Sequence, residues 1–528
     1  MGTHGEIRHA EWICWLLRCG SQGGKEIRVM EIPKREEGEP SSTLPSTVTY
    51  IGYHAAQRPE DVALVVNGRE IAYGTFYRDI GKMAAALRGF GLDPSHAAGV
   101  EHPDKYLHWL VVLAFEALGV PTFSYAREEA VVLENALAAR ELVICSPGGD
   151  PPKAKRVQPM DREWIDSVQD LEPEYPPRTV PIGPSTPLRI VKSSGTTGSI
   201  KWMIHTGRIH AFWIGQYQFR TGFNRHSRFL ITMGFTVEAS HVYATACIRM
   251  GGICVHDERE GIAKALAKYS ISHVTLLPLN LVQVLDELPG NYVKAPELTI
   301  FTIGAPVSKT IRAQVKQVLA NDLMESYGTN EVAAICTMGD DGVGTVMPGV
   351  QVEVVDDENQ PVMDEAGRVR VMTEGSVAGY INDSEATRRM FRDGWFYPGD
   401  LAVMKENRTL RLIGRADDQL NIRGIKFAPA ALEEKRANKL PVADLCLTTI
   451  ADGEGVDQVW VVVELRHPHG LVDIKKKMAP LLPAMFGEAR LMPLKRIPRT
   501  ATGKVRRNKL NQVLRLAQAR SATPPDRL

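Results

Sequence analysis

The sequence predicts an α/β protein with a large N-terminal domain built on parallel-type sheets and carrying a small β subdomain, followed by a small α+β C-terminal domain. Three observations lead there. The 528 residues exceed what one hydrophobic core usually serves. Short apolar runs alternate with stretches of helical spacing: Val62 to Val66 is strand-like, Phe76 to Phe90 carries an apolar face every third or fourth residue, and the alternation recurs from Ile204 to Leu288. After Arg415 the pattern restarts on a smaller scale. The expected divisions are residues 1–45 as an arm and linker, 46–415 as the large domain and 416–528 as the small one.

In the arm, Trp12 to Leu17 is too short for a secretory apolar core and Glu11 interrupts its basic flank, so no signal peptide is expected. Met30 precedes a Pro/Glu/Ser-rich connector, Pro33 to Pro45, and is read as a natural start; the rival reading is an amphipathic arm docked through Trp12, Trp15 and Leu16. Farther on, Leu298 to Ile303 is β-rich and ends at Gly304-Ala305-Pro306. A helical stretch from Ser308 to Leu319 follows, making a βα unit of a parallel sheet. Ligands of such sheets sit at the carboxyl ends of strands. Val350 to Val355 and Val369 to Met372 read as strands of the β subdomain, separated by the turn-rich segment Asp356 to Gly367. In the C-terminal domain, strands are expected at Leu445 to Ile450 and Val459 to Leu465, with helices at Pro429 to Asn438 and Asp473 to Leu482. No internal repeat is found.

Composition narrows the function. Basic and acidic residues number 63 and 62, a formal charge of +1, which leaves no electrostatic footprint for nucleic acid or an anionic membrane. The seven cysteines are scattered and lack CxxC spacing, arguing against a disulfide framework or a zinc site and fitting a reducing, cytoplasmic location. No apolar run approaches 18 residues, so no membrane span is expected.

The most informative stretch is Ser193-Ser194-Gly195-Thr196-Thr197-Gly198-Ser199-Ile200-Lys201. Glycines let successive N–H groups turn toward one anion, hydroxyls donate further hydrogen bonds, and a lysine supplies charge, a combination suited to a polyphosphate. It lacks the Gly-Lys-Ser/Thr ending of the GxxxxGK[ST] loop, and by itself it reads equally well as a surface loop.

Four further segments follow in order: Glu325-Ser326-Tyr327-Gly328-Thr329-Asn330-Glu331, Gly394 to Asp400, Gly414-Arg415-Ala416-Asp417-Asp418-Gln419 running to Arg423-Gly424-Ile425-Lys426, and Pro498 to Lys504. With these five segments the chain resembles the adenylate-forming superfamily of acyl-CoA synthetases, luciferases and peptide-synthetase adenylation domains, from about Tyr50 to about Leu510. The resemblance implies a mobile C-terminal domain, ATP and Mg²⁺ as partners of the site, and CoA as co-substrate. It implies phosphate binding by Ser193 to Gly198 with Thr196, Thr197 and Lys201 as donors, and Mg²⁺ held by Glu331 with Thr197. Nucleotide contacts are implied at Gly304, Ala305, Pro306, Glu325, Ser326, Tyr327, Gly328, Thr329 and Asn330. Asp400 would hold the ribose hydroxyls, Arg415 a ribose or phosphate group. Lys504 would bridge the acid's carboxylate and the α-phosphate, Asp417 would be the hinge, and Arg423, Gly424 and Lys426 would border the path of CoA. The chain departs from the family's pattern at Ile200, Trp202, Asn330 and Pro398, where relatives usually have proline, glycine, threonine and threonine.

Candidate acyl-pocket residues are Phe235, Thr236, His241 and Ile303, within a largely apolar set, and a fatty or aromatic acid is inferred. His241 reads either as a partner for an aryl carboxylate or as a satisfied core histidine. The leading function is an AMP-forming acyl-CoA synthetase. A ligase loading a separate carrier protein remains open, as do a Ser/Lys amidase suggested by Lys192-Ser193-Ser194-Gly195 and a nucleotide sensor without turnover. No built-in carrier is expected after Leu510, and a homodimer is compatible with all of these.

Overall fold

The computed structural model describes residues 44–129, 140–148, 151–173, 182–193, 200–304, 306–416, 420–422, 425–427, 429, 433, 440, 442–451, 457–465, 471–478, 489–499 and 505–520. Two large sheets carry most of the chain. In the six-stranded sheet, Arg156–Pro159, Arg140–Cys145, Ala97–Val100, Thr122–Ser124 and Pro187–Lys192 lie side by side and parallel, and Trp202–Thr206 closes the edge antiparallel to Pro187–Lys192. All of Ala97–Val100 is buried, as its apolar run requires of a strand covered on both faces.

The second sheet has fifteen strands. Its parallel part runs Val62–Val66, Ile253–His256, Arg228–Leu230, His273–Leu276, Ala295–Thr302 and Ala320–Thr329. The strand expected at Val62 to Val66 has those bounds. The βα unit after it is also present: Ala295–Thr302 leads to the helix Lys309–Val318, whose N-cap Ser308 accepts the N–H of Ile311. A cap serine at that position satisfies one of the helix's orphan donors, which is why the helix starts there.

Beyond Ala320–Thr329 the sheet turns antiparallel. Val350–Val355 and Ala366–Thr373 pair over six residues, as expected for the β subdomain. They are not a detached sheet, however, but the far end of the same hydrogen-bonded one, because the hairpin Ala320–Thr329/Ala333–Met338 carries the pairing onward. The subdomain keeps its own apolar cluster around Val332, Ile335, Val371 and Phe396.

The main core contains residues of the helices Tyr73–Arg88, Lys105–Leu118, Gly207–Thr221 and Glu238–Arg249. Lys105–Leu118 begins at Asp104, which caps the N–H of Leu107, and ends at Gly119 in the left-handed region with φ 69°. Every residue from His108 to Ala117 is buried, as a helix apolar all round demands. Its one buried acid, Glu116, accepts the Thr47 N–H at 2.7 Å and lies 3.9 Å from Arg249.

The C-terminal part is a three-stranded sheet in which Val442–Ala451 runs antiparallel and Arg490–Leu494 parallel to Asp457–Leu465. Strict alternation divides its side chains. Leu445, Leu447, Val459, Val461 and Val463 face one cluster with Ile474 and Met478, while Cys446, Ile450, Trp460 and Val462 face another with Leu510 and Leu514. The helices Leu471–Met478 and Arg507–Arg520 therefore close opposite faces. The helix expected at 473–482 begins two residues earlier; the one expected at 429–438 falls almost wholly outside the described residues, as does the arm before Leu44. Among the described residues no helix is long and apolar enough to cross a membrane, and the five described cysteines are free and buried.

Four histidines are shut in this interior: His108, His205, His210 and His241. Burial pushes all four below the ordinary 6.5, His108 to about 3, with Arg189 adding to the effect. Unfolding exposes imidazoles that bind protons more readily than the folded ones, so this stability is complete above pH 6.5 and declines as pH falls from 6.5 toward about 3. The unfolding free energy from urea titrations is expected to drop between pH 7 and pH 5, by up to about 2 kcal/mol per histidine at the lower limit. A free energy constant over that interval would show the folded protein holding these rings protonated.

Candidate active site

The strands Pro187–Lys192 and Trp202–Thr206 end opposite each other, with Lys192 paired to Trp202, and the Ser193 N–H donates to the Lys201 carbonyl at 2.8 Å. The Ser193–Lys201 segment is thus a loop closed at its neck. Ser194, Gly195, Thr196, Thr197, Gly198 and Ser199 lie outside the described residues. Lys192, just before the loop, is paired with Glu129. Trp202, in place of the family's glycine, is buried edge-on against Phe123, so the change serves the core beneath the loop.

Glu331 stands at the tip of the hairpin formed by Ala320–Thr329 and Ala333–Met338. The turn is tight: Ala333 sits at φ +70°, an unusual conformation for a residue with a Cβ, and a Cβ on Gly328 would lie 2.4 Å from the Ala333 carbonyl oxygen. Only glycine fits at 328. The tip is fastened on three sides. The Asn330 amide donates to the Lys192 carbonyl at 2.8 Å, the Asn330 carbonyl lies 3.1 Å from His205 Nε2, and the Val377 N–H donates to the Glu331 carbonyl. Asn330 therefore ties the glutamate hairpin to the neck of the loop.

The Glu331 side chain is buried, and its Oε1 accepts the Tyr380 hydroxyl at 2.9 Å. Burial and the Glu331 charge push the Tyr380 phenol well up, which keeps it a donor. Oε2 accepts no hydrogen bond among the described residues. A carboxylate with one oxygen fixed and one open suits a hard cation such as Mg²⁺. Lys201 Nζ lies 4.9 Å from the centre of the Tyr380 ring, so one tyrosine orients both the lysine and the glutamate.

A second carboxylate, Asp400, is held in the same manner. Tyr327 donates its hydroxyl to Oδ2 at 2.6 Å, and Arg415 Nη1 lies 3.3 Å from Oδ1 and donates to the Pro398 carbonyl at 2.6 Å. The cross-strand pairing of Asp400 with Arg415 sets this geometry. Asp400 keeps lone pairs for two neighbouring hydroxyl donors. A salt bridge from Arg415 to Asp417 or Asp418, the alternative that the sequence also allows, falls on aspartates outside the described residues.

Glu325 faces elsewhere. Its Oε2 accepts Arg312 Nη2 at 2.8 Å and the Val307 N–H at 3.0 Å, bracing the loop that begins at Gly304, φ +91°. Pro306 is exposed on that loop, Ile303 and Thr236 are half-buried, Ser326 pairs with Thr337 in the hairpin, and the Thr329 hydroxyl accepts the Glu331 N–H. Lys426 lies in the strand Ile425–Phe427, whereas Ala305, Asp417, Arg423, Gly424 and Lys504 fall outside the described residues.

Phe235 and His241 point into the core. The Phe235 ring stacks on Trp109 at 5.2 Å and meets His241 edge-on at 6.1 Å. Behind it lies a cavity of about 10 Å³ bounded by Val112, Glu116, Thr122, Leu188, Arg189, His210 and His241. Neither reading of His241 made from sequence describes it fully, since it is a core residue with Nδ1 unpaired; both nitrogens of His210 are unpaired as well. Arg189 donates to Thr122 at 2.9 Å and to Glu238 at 3.2 Å. His210, Glu238 and His241 bring ligand-type atoms within 4.8 Å of one another.

Sequence reasoning missed Tyr380, His205, Arg189, Glu238 and His210. Tyr380 is separated from Glu331 by 49 positions and carries no motif of its own. A charged Arg189 between the apolar Leu188 and Ile190 was the one available signal, since such a residue needs a buried partner.

A family model described as "AMP-binding enzyme" matches residues 52–381. The chain is 24% identical over 485 residues to a probable non-canonical nonribosomal peptide synthetase, CymA, of Salinispora arenicola, a match covering 86% of this chain and only 6% of that protein. It is 22% identical to a 2-succinylbenzoate–CoA ligase of Listeria innocua, covering 86% of this chain and 97% of that one. The fold matches that of the Bacillus subtilis O-succinylbenzoate coenzyme A synthetase solved with ATP and magnesium ion, with a TM-score of 0.75, 18% identity, and coverage of 87% and 98% of the two chains.

Tyr380→Phe keeps the ring beneath Lys201 and removes only the hydroxyl on Glu331. The Mg²⁺ concentration giving half-maximal ATP-dependent activity is expected to rise about tenfold, the scale of one lost hydrogen bond to a charged group. An unchanged Mg²⁺ titration would count against Glu331 as the metal's ligand.

Proposed function

Because the chain belongs to the AMP-binding enzyme family, we propose that it is an acid–thiol ligase, activating a fatty or aromatic carboxylic acid with ATP and passing the acyl group to CoA. The observation that carries this reading is the fastening of Glu331 beside the neck of the Ser193–Lys201 loop, through Tyr380 and Asn330. It brings a carboxylate and a lysine to the neck of a segment whose sequence is rich in hydroxyls, as a triphosphate with its cation requires.

In the first half-reaction a carboxylate oxygen of the acid forms a bond to the α-phosphorus and the bond to the leaving pyrophosphate breaks. Two anions must approach each other, so the site has to offset their repulsion with preorganised donors. Thr196, Thr197 and Lys201 serve the departing phosphates, Glu331 and Thr197 hold Mg²⁺, and Asp400 with Arg415 fixes the ribose. Mg²⁺ held by these residues would supply charge compensation for the phosphates. Lys504 lies between carboxylate and α-phosphate while that bond forms. In the second half-reaction the CoA thiolate attacks the acyl carbonyl and AMP leaves. Asp417 is the hinge that exchanges the two states, and Arg423, Gly424 and Lys426 line the thiol's approach.

A carrier-protein thiol in place of CoA is the second reading, favoured by the peptide-synthetase relative. Pyrophosphate release measured across a panel of carboxylic acids, with and without CoA, tests both. Release with no acid at all, or none with any, would refute an acid-activating enzyme; acyl-AMP that accumulates untouched by CoA would favour the carrier.

Lys504→Ala is expected to slow adenylation at least about 10²-fold, since one transition-state donor is lost, while thioester formation from supplied acyl-AMP survives. Single-turnover assays that follow acyl-AMP and acyl-CoA separately check this. Equal losses in both steps would remove the lysine from its assigned place.

A further inference from the structure

Buried polar atoms are nearly always paired, because leaving one unpaired costs its full desolvation. The wall behind Phe235 breaks that rule several times over. Among the described residues, both ring nitrogens of His210, Nδ1 of His241 and Nε of Arg189 have no partner, although all three side chains are buried. They border one small cavity of about 10 Å³. That is room for a single oxygen-sized group.

A row of neighbouring side chains leads from the cavity to the candidate active site. Arg189 is paired with Glu238 at 3.2 Å, Glu238 Oε1 lies 4.0 Å from His205 Nδ1, and His205 Nε2 lies 3.1 Å from the carbonyl of Asn330, the neighbour of Glu331. Phe235, one of the acyl-pocket residues read from the sequence, lies edge-on against His241.

We propose that the acid activated by this protein carries an uncharged hydrogen-bonding group, a hydroxyl or a carbonyl, at the end away from its carboxylate, and that His210 and His241 receive it in this cavity. This rests on the ligase reading given above and makes the inner end of the acyl pocket polar. Charge balance excludes an anionic group there. Arg189 is already matched by Glu238, and Arg249 by Glu116 at 3.9 Å. A second carboxylate would add an uncompensated charge to a dry interior. Neutral imidazoles can donate from one nitrogen and accept at the other, which fits a hydroxyl on either side. The same balance argues against a divalent metal on His210, Glu238 and His241. Glu238 is engaged by a guanidinium, and a dication would add two positive charges to a neutral cluster.

The test uses matched acids: hexanoate against 6-hydroxyhexanoate, and 3-phenylpropanoate against 3-(4-hydroxyphenyl)propanoate, with adipate as the dianionic comparator. Affinity is read from tryptophan fluorescence, since Trp109 stacks on Phe235 and Trp213 lies 4.6 Å from the His205 ring. This readout needs no turnover, so it stands apart from pyrophosphate release, whose failure would strike the ligase reading instead. In at least one pair the hydroxylated acid is expected to bind at least about tenfold more tightly than its apolar partner. It is also expected to bind more tightly than adipate. His210→Leu should bring that ratio to about one, and His210→Gln, which retains a donor and an acceptor, should restore part of it. Circular dichroism of each variant separates loss of recognition from loss of folding. Equal affinities within both pairs, no binding by any acid, a ratio unchanged in folded His210→Leu, or a preference for adipate would overturn the proposal. One equivalent of zinc in the purified protein by elemental analysis would also overturn it, and assign the cluster to a metal.

Discussion

Arg189 and Glu238 meet at 3.2 Å in an interior where almost no part of either side chain reaches water. One stands on a strand of the six-stranded sheet and the other on the helix Glu238–Arg249, so the pair fixes how that helix lies on that sheet. Removing one partner of such a pair strands a charge, at a cost of about 3 to 5 kcal/mol, whereas the intact pair is not in itself a strong source of stability. Its value is positional. Thr122, Ser124 and His205 take their places around it, and His205 reaches the hairpin that presents Glu331. The candidate catalytic carboxylate is thus held in register by a chain of polar contacts that starts deep in the core.

Tyrosines complete that arrangement. Tyr380 on Glu331 and Tyr327 on Asp400 place one phenol against each carboxylate, and burial pushes both phenols up so that they remain donors. Glu331 is steered at one oxygen and left open at the other, whereas Asp400 is held at both, by Tyr327 and Arg415, and keeps lone pairs to accept further donors. A site for a charged, hydroxyl-rich ligand needs this combination of restraint and residual capacity.

The fold was legible where local rules and tertiary context agree. Val62–Val66 is a buried parallel strand because its run is apolar throughout, and Lys309–Val318 begins where Ser308 can cap it. Continuity of the fifteen-stranded sheet was not legible, since pairing between distant strands leaves no mark on either segment. The same limit governs the site. Glu331, Asp400 and Lys201 stood out because their chemistry lies inside short motifs. Tyr380, His205 and Arg189 act across the fold, and Glu325, although inside a motif, turns to Arg312 and Val307 instead. A motif records which residues occur together, whereas the direction of a side chain is settled by whatever packs behind it.

The C-terminal sheet is roofed on both faces by side chains that belong to it, Ile474 and Met478 on one and Leu510 and Leu514 on the other. Such a body is self-contained in the way a ball bearing is. Among the described residues its two apolar clusters take in no side chain from before Leu440, so displacing it would wet none of the core they form. For a body of this kind, resistance to displacement would lie in polar contacts that water can replace and in the backbone torsions that would have to turn.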